Sequence, residues 1–366
     1  MQSHFKRILK IASNILADIH FNNKEEFDEY LKNHPNYREN TKFYVDGIQI
    51  KPLSKKKKEH PKKEVSERQK YVDDWTNIIQ SSTPTVLVNP YDNLDDIEIN
   101  PLYVLSYGND KKTVFKPTTT KDVGVRKSIN TKQVSASRRE VMSFELSEKL
   151  GIGVIPPTYL TERVVPTNSK KSKKEGSEQA FIEGETWMQM SIKKGQDGVR
   201  QLLKDEKIQK GLGMISITDY LLGSADRHNK NLMIDNNNNL YAIDNGLTFA
   251  SNNYQDKYGD GEFRSLPTDI LFRMYQDYDP DYSISNMQFE EYNVTEFDTD
   301  FNQLMKLEVI KDAGGYHPEV EKFFQEMDYD KAEQTITEVM KHYGVDEKST
   351  EDTISRLRDI QGLFNY

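Results

Sequence analysis

Residues 223–251 read GSADRHNKNLMIDNNNNLYAIDNGLTFAS. Four asparagines at 236–239 separate two short apolar runs, a pattern that predicts a β-hairpin. A symmetric turn pairs Asp235 with Leu240, Ile234 with Tyr241, Met233 with Ala242 and Leu232 with Ile243. That register sets Asn231 opposite Asp244. Directly opposed residues have Cβ atoms about 4.5–5.5 Å apart. An amide oxygen and a carboxylate at that separation can share one hard cation, and Mg²⁺ needs few protein ligands because phosphate oxygens and water supply the rest. Asp226 and His228 lie in the loop just before Asn231. A carboxylate there can orient or deprotonate an attacking hydroxyl, and the imidazole can assist as a base or hold a phosphate when protonated. Turn-flanking polar residues and a structural loop histidine are the plainer readings of each residue alone. They leave the four together unexplained, because the turn itself needs only the asparagines.

Upstream, Lys116 sits in the strand-like TVFKPT (113–118), and Glu140 near the start of the helix expected from SASRREVMSFELSEKLG (135–151). A strand lysine, a helix glutamate and then the D…N…D cluster supply the parts that phosphoryl transfer uses on ATP. Each has a bland counterpart. Lysine is common on edge strands. Ser137 and Glu140 also read as a capping box. Met142, Leu146 and Leu150 form one apolar face of this helix, and Gly151 stops it.

The 366-residue chain has 35% hydrophobic residues, no cysteine and a net charge of −9, with a mean hydropathy of −0.81. Disulfides and thiolate metal sites are excluded. The acidic balance gives no nucleic-acid signal. No apolar run reaches the length of a transmembrane helix, and the basic, interrupted N-terminus lacks a signal-peptide core. A cytoplasmic setting is expected. Residues 4–19 have helical apolar spacing, a short helix is expected after residue 21, and 51–64 form a basic arm, KPLSKKKKEHPKKE, that suits a solvated linker. A further helix is expected over 65–80. Strands are expected at TVLVNP (85–90), LYVLSYG (102–108), TYLTERVV (158–165) and EQAFIE (178–183), with PTNSKKSKKEGS (166–177) as a basic loop. Residues 198–223 read as helical. Beyond 252 the chain is polar and acidic for about fifty residues, then helical from about 317. This order suits an α+β fold: a small antiparallel sheet with one main helix, then a mostly helical lobe. The expected divisions are 1–84, an N-terminal helical extension and arm; 85–190, the sheet lobe; and 191–366, the helical lobe.

The segment GSADRHNKNLMIDNNNNLYAIDNG resembles the catalytic and metal-binding loops of the phosphatidylinositol 3- and 4-kinase-like superfamily, and more loosely those of HipA-type atypical kinases. VFKP (114–117) resembles the nucleotide-lysine strand, residues 137–160 the following helix and strand, and EQAFIEG (178–184) the hinge strand. The resemblance spans roughly residues 100–250. It implies a bilobal protein-kinase-like fold and an ATP- and Mg²⁺-dependent phosphotransferase. Lys116 would meet the phosphates with Glu140 supporting it, and Gln179 would lie at the adenine. Asp226 would be catalytic with His228 beside it, and Asn231 and Asp244 would hold the metal. Two departures stand out. Asn245 follows Asp244 where members usually carry Phe, which puts the usual apolar packing of the metal loop in doubt. Only Gly108 serves the loop expected over the phosphates. Residues 21–42 resemble leader segments of tailed-phage virion proteins, which would place the chain in a host cytoplasm or a virion. Protein hydroxyls are the expected acceptors. Lipid headgroups near the basic 169–174 loop, AMP transfer on the same fold, and a non-catalytic virion role are the alternatives.

Overall fold

A computed structural model describes residues 19–21, 43–45, 48–50, 66–88, 102–118, 134–167, 170–250, 265–275 and 303–365. The chain divides into two units, residues 1–66 and 67–366. In the first, β1 (Ile19–Phe21) pairs in parallel with β2 (Phe43–Val45), which pairs antiparallel with β3 (Ile48–Ile50). Ile19 is therefore a strand residue, and the rest of the helix expected over 4–19 lies outside the described residues, as does the basic arm at 51–64.

The second unit opens with α1 (Glu67–Ser81), the helix assigned from sequence to the extension. Five antiparallel strands follow: β4 (Thr85–Val88), β5 (Tyr103–Ser106), β6 (Lys112–Pro117), β7 (Thr158–Pro166) and β8 (Lys171–Ala180). Their order is β4-β5-β6-β8-β7, with α2 (Ala136–Lys149) crossing between β6 and β7. β8 begins well inside the stretch expected to be a loop. Its lysines pair strand-to-strand with β7, Lys173 opposite Val164 and Lys171 opposite Pro166. Alternation along strands divides the side chains between two faces. Phe115 and Glu178, opposed in register, share one face; Lys116 and Ser177, the next pair, share the other. On the first face Glu178 is fully buried and accepts from Thr113 (2.7 Å), Thr161 (2.9 Å), Arg163 (2.6 Å) and the Tyr107 hydroxyl. Such a carboxylate is tolerable in a core only because its oxygens are satisfied. α1 packs Trp75 and Ile79 against Ala180 on that face.

A short strand, β9 (Gly184–Thr186), leads into α3 (Trp187–Leu202), whose start is closed by a Thr186–Gln189 capping box. α4 (Glu206–Leu222) follows, then the hairpin β10 (Leu232–Asp235) and β11 (Leu240–Ala242). β9 joins this hairpin as a third strand, in the order β11-β10-β9, so the segment linking sheet and helices is stitched to the hairpin. Gly184 makes this possible: a Cβ there would stand 2.1 Å from the Ile234 carbonyl oxygen.

The stretch beyond 252 contains α5 (Leu266–Tyr275) and α6 (Gln303–Asp312), two helices the sequence reading missed. The expected helical end is α7 (Pro318–Gln325), α8 (Tyr329–His342) and α9 (Glu347–Phe364). These helices belong to the main core. Phe324, Ile336, Met340, Ile360 and Phe364 join Met142 and Leu146 of α2 and Leu232, Ile234 and Leu240 of the hairpin in one buried cluster. Each such side chain contributes about 1.5–3 kcal/mol by leaving water. The architecture is the expected α+β arrangement, an antiparallel sheet with one principal helix above a helical lobe.

Candidate active site

Lys116 and Glu140 meet where β6 passes α2. The helix does not start as expected. Ser135 is the N-cap, accepting from the Arg138 amide at 3.3 Å, so the Ser137–Glu140 capping box does not form. Ser137 instead accepts from the Thr118 hydroxyl at 3.0 Å. With the cap two residues earlier, Glu140 lies past the first turn, where its carboxylate has no unpaired amide to serve. It faces the sheet, and Lys116 Nζ donates to its Oε1 at 2.9 Å. Ser177, directly across the ladder from Lys116, donates to Oε2 at 2.8 Å. Gly176 allows that close pairing, because a Cβ there would stand 2.2 Å from the Lys116 carbonyl oxygen. Neither Ser177 nor Gly176 was marked by the sequence. Only strand register reveals them.

The same Nζ lies 2.9 Å from Asp244 Oδ1, whose side chain is 50% exposed against 4% for Glu140. Burial alone pulls the Lys116 pKa down, but the charges of Asp244 and Glu140 together outweigh it and hold the ammonium above the ordinary lysine value. Burial pushes the Glu140 carboxyl up in spite of Lys116. The Lys116 charge holds Asp244 below its usual range.

The hairpin register differs by one residue from the symmetric expectation. Leu232 opposes Ala242, Met233 opposes Tyr241 and Ile234 opposes Leu240. Asp235 causes the shift. Its Oδ1 accepts from the amides of Asn237 (2.8 Å) and Asn239 (2.9 Å), closing a three-residue turn with Asn238 at φ 62°. Asparagine tolerates that conformation and aspartate favours such turns. The Ile243 amide donates to the Asn231 carbonyl at 3.0 Å, so Asn231 faces Ile243 rather than Asp244. Asp244 leaves the ladder in a left-handed conformation, φ 55° and ψ 56°, which carries its carboxylate to Lys116.

Asp226, His228 and Asn231 form a local cluster. Asn231 Nδ2 donates to the Asp226 carbonyl at 2.9 Å and lies 3.3 Å from His228 Nε2. Those contacts fix one end of the amide and leave its oxygen as the end able to accept a cation. His228 Nε2 is 3.9 Å from the partly exposed Asp226 carboxylate.

Arg227, between these residues, joins the two clusters. Its guanidinium is buried and donates through one nitrogen to the carbonyls of both Asn231 (2.8 Å) and Ile243. It also pairs with Asp219 of α4 at 3.1 Å and donates to the Asn245 side-chain oxygen. Asn245, the departure from the usual Phe, is thus buried in a polar contact. Its Nδ2 donates in turn to the Ala242 carbonyl at 3.1 Å.

Gln179 lies in the interior strand β8, opposed to Val114 on one side and Thr158 on the other. Phe181 donates to the Lys112 carbonyl, so ladder alternation commits both backbone groups of Gln179 to Val114. Its side chain donates to Thr158 at 2.8 Å. The Gly108 turn joins β5 to β6 beside Lys112, at the opposite end of β6 from Lys116, so it does not cover the site. Residues 89–101, which join β4 to β5, lie outside the described residues.

The family model for phosphatidylinositol 3- and 4-kinase matches residues 117–297, beginning one residue after Lys116 and containing the other acidic and amide residues of both clusters. No curated protein matches the chain. Among solved structures, the Golgi casein kinase aligns with 14% identity and a TM-score of 0.39, covering 82% of this chain and 77% of that one. The same kinase with Mn/ADP bound aligns with 13% identity and a TM-score of 0.38, covering 80% and 75%. Among the described residues, no helix is long and apolar enough to cross a membrane.

Proposed function

We propose that this chain, whose residues 117–297 match the phosphatidylinositol 3- and 4-kinase family model, is an ATP- and Mg²⁺-dependent kinase that phosphorylates protein hydroxyls. The observation that carries this reading is the placement of one ammonium 2.9 Å from both Glu140 and Asp244. Such a lysine, held by a buried carboxylate and facing a half-exposed one, suits a nucleotide phosphate on its open side.

Two oxygen donors fit a divalent ion. Asp244 presents an exposed carboxylate, and Asn231 an amide oxygen whose opposite end is pinned. Although the register does not oppose them, one Arg227 nitrogen bonds the backbone of both Asn231 and Ile243, which keeps the two loops adjacent. Asp244 and Asn231 would hold Mg²⁺, which would supply neutralisation of the phosphate charge. Lys116 would bind and orient the phosphates. Asp226 would accept the proton of the attacking hydroxyl, with His228 beside it to hold the loop or assist in the transfer. The segment after β8, from Ile182 onward, is a better place for the adenine than Gln179 or Phe181, whose backbone groups are used within the sheet.

The test uses purified protein, Mg²⁺ and ATP labelled separately at the α and γ phosphates, for the wild type and Asp244→Ala, alone and with cell lysate. Asp244-dependent transfer of γ label to protein is the expected result. Transfer to lipid would change the acceptor, and transfer of α label would make the protein an AMP transferase. Absence of transfer together with absence of Mg²⁺-dependent ATP binding would overturn the kinase reading.

A further inference from the structure

Asn245 is a polar side chain that is 1% exposed and bonded at both ends of its amide. Its oxygen accepts from Arg227, and its nitrogen donates to Ala242 at the end of β11. Its own carbonyl accepts from the Thr248 hydroxyl at 2.8 Å, and that hydroxyl also lies 3.0 Å from Ser143 of α2. One residue later, the Gly246 carbonyl accepts from Arg139, also of α2. The loop carrying Asp244 is therefore anchored by directional bonds on two sides, to α2 through residues 246 and 248 and to the Asp226–Asn231 loop through Asn245 and Arg227.

We infer that Asn245 is a positioning residue, one that keeps the Asp244 loop in register with the Asp226–Asn231 loop through its hydrogen bond to Arg227. Arg227 Nη1 bonds the backbone of both loops, at Asn231 and Ile243, and Nη2 adds the Asn245 side chain of the second. Arg227 is itself locked from behind by Asp219, whose other oxygen accepts from Ser265 at 2.8 Å. Asp244 has left the β-ladder, so its place depends on side-chain bonds rather than on strand pairing. An apolar residue at 245 could fill the same volume, but it would leave a guanidinium nitrogen without its acceptor in a buried site, a cost comparable to losing a hydrogen bond to a charged group. The inference rests on the kinase reading for its catalytic consequence, but not for its structural one.

Asn245→Leu and Asn245→Asp separate the two bonds. Aspartate keeps an acceptor for Arg227 and loses the donor to Ala242; leucine loses both. Hydrogen exchange is followed in residues 226–231 and 243–248 of the full chain, together with the Mg²⁺ dependence of nucleotide binding and of phosphoryl transfer. Asn245→Leu should speed exchange in both loops, raise the Mg²⁺ concentration needed for nucleotide binding, and lower kcat by about 10–100-fold, the usual scale for groups that orient a metal ligand. Asn245→Asp should restore slow exchange in 226–231. If leucine loosens only 243–248, or aspartate behaves as leucine does, the coupling is overturned. Should Asn245→Leu fail to fold, Asn245→Ser, too short to reach Arg227, makes the same prediction. A wild type with slow exchange in both loops but no phosphoryl transfer would refute the kinase reading alone, and the exchange result would still decide the role of Asn245.

Discussion

Arg227 and Lys116 are both cations at the join between the sheet and the helices, and they are held in opposite ways. Arg227 is 1% exposed, and its partners are a buried carboxylate, two backbone carbonyls and a side-chain amide. None of these can be exchanged without unfolding something. Lys116 is shared between a buried carboxylate and one that is 50% exposed, and the exposed one can turn to water, a metal ion or nothing. The first cation sets geometry. The second is poised to trade partners, as phosphate binding requires. Buried charge in this protein therefore has two uses, distinguished by whether the partner can leave.

The largest expected effect comes from breaking the fixed cation. Arg227→Met strands Asp219, whose carboxyl burial already pushes up, and should cost about 3–5 kcal/mol. Urea denaturation measures it, and a loss below about 1 kcal/mol would dissolve the distinction. Lys116→Met should behave differently. Glu140 retains Ser177 and is already inclined to take up a proton, so unfolding should shift less than for Arg227→Met. Phosphoryl transfer should nevertheless fall by about 100-fold or more, as when a preorganised charge is removed from a developing anion. Equal stability losses in the two variants would make Lys116 structural as well.

A smaller effect is expected from Gly176→Ala. The added methyl would have to push β8 away from the Lys116 carbonyl, at about 1–3 kcal/mol. Nucleotide affinity should drop along with stability, because the strand that moves carries Ser177, which holds the Glu140 partner of Lys116. The smallest effect is a pH dependence. Asp244 has a lowered folded pKa, so its contribution is present above the unfolded value, near 3.9, and is lost as pH falls through the folded one. Lys116 has a raised pKa, so its share persists below about 10.4 and disappears only as pH rises through the higher folded value. The stability gap between wild type and Asp244→Asn should be flat from about pH 5 to 9 and shrink in acid. A gap that grows in acid would show that the pair with Lys116 does not form.

Much of this is legible in the residues alone. Period-two strands, the apolar face of Met142 and Leu146, and the order of lysine, glutamate and D…N…D all depend on local pattern, and local pattern survives folding. The errors share a physical origin. Ser135 and Ser137 are both competent caps, and only the path of the preceding chain chooses between them. Four asparagines allow several turns, and Asp235 selected one through bonds that spacing alone does not rank. The basic run after 169 reads as a loop until a partner strand is there to pair with it. α5 and α6 went unseen because acidic, polar neighbours masked short helices.

The sequence by itself determined which side chains are able to carry phosphoryl-transfer chemistry and in what order they come along the chain, because charge, hydrogen-bonding capacity and local turn preference belong to the residues. The tertiary structure alone decided that Glu140 faces Lys116 rather than a helix end, that Asp244 and not Asn231 reaches the lysine, and that Asn245 serves Arg227. Each of those outcomes joins residues on separate elements. Which groups meet is set by strand register, helix phase and the need to satisfy every buried charge, and those are properties of the packed chain as a whole.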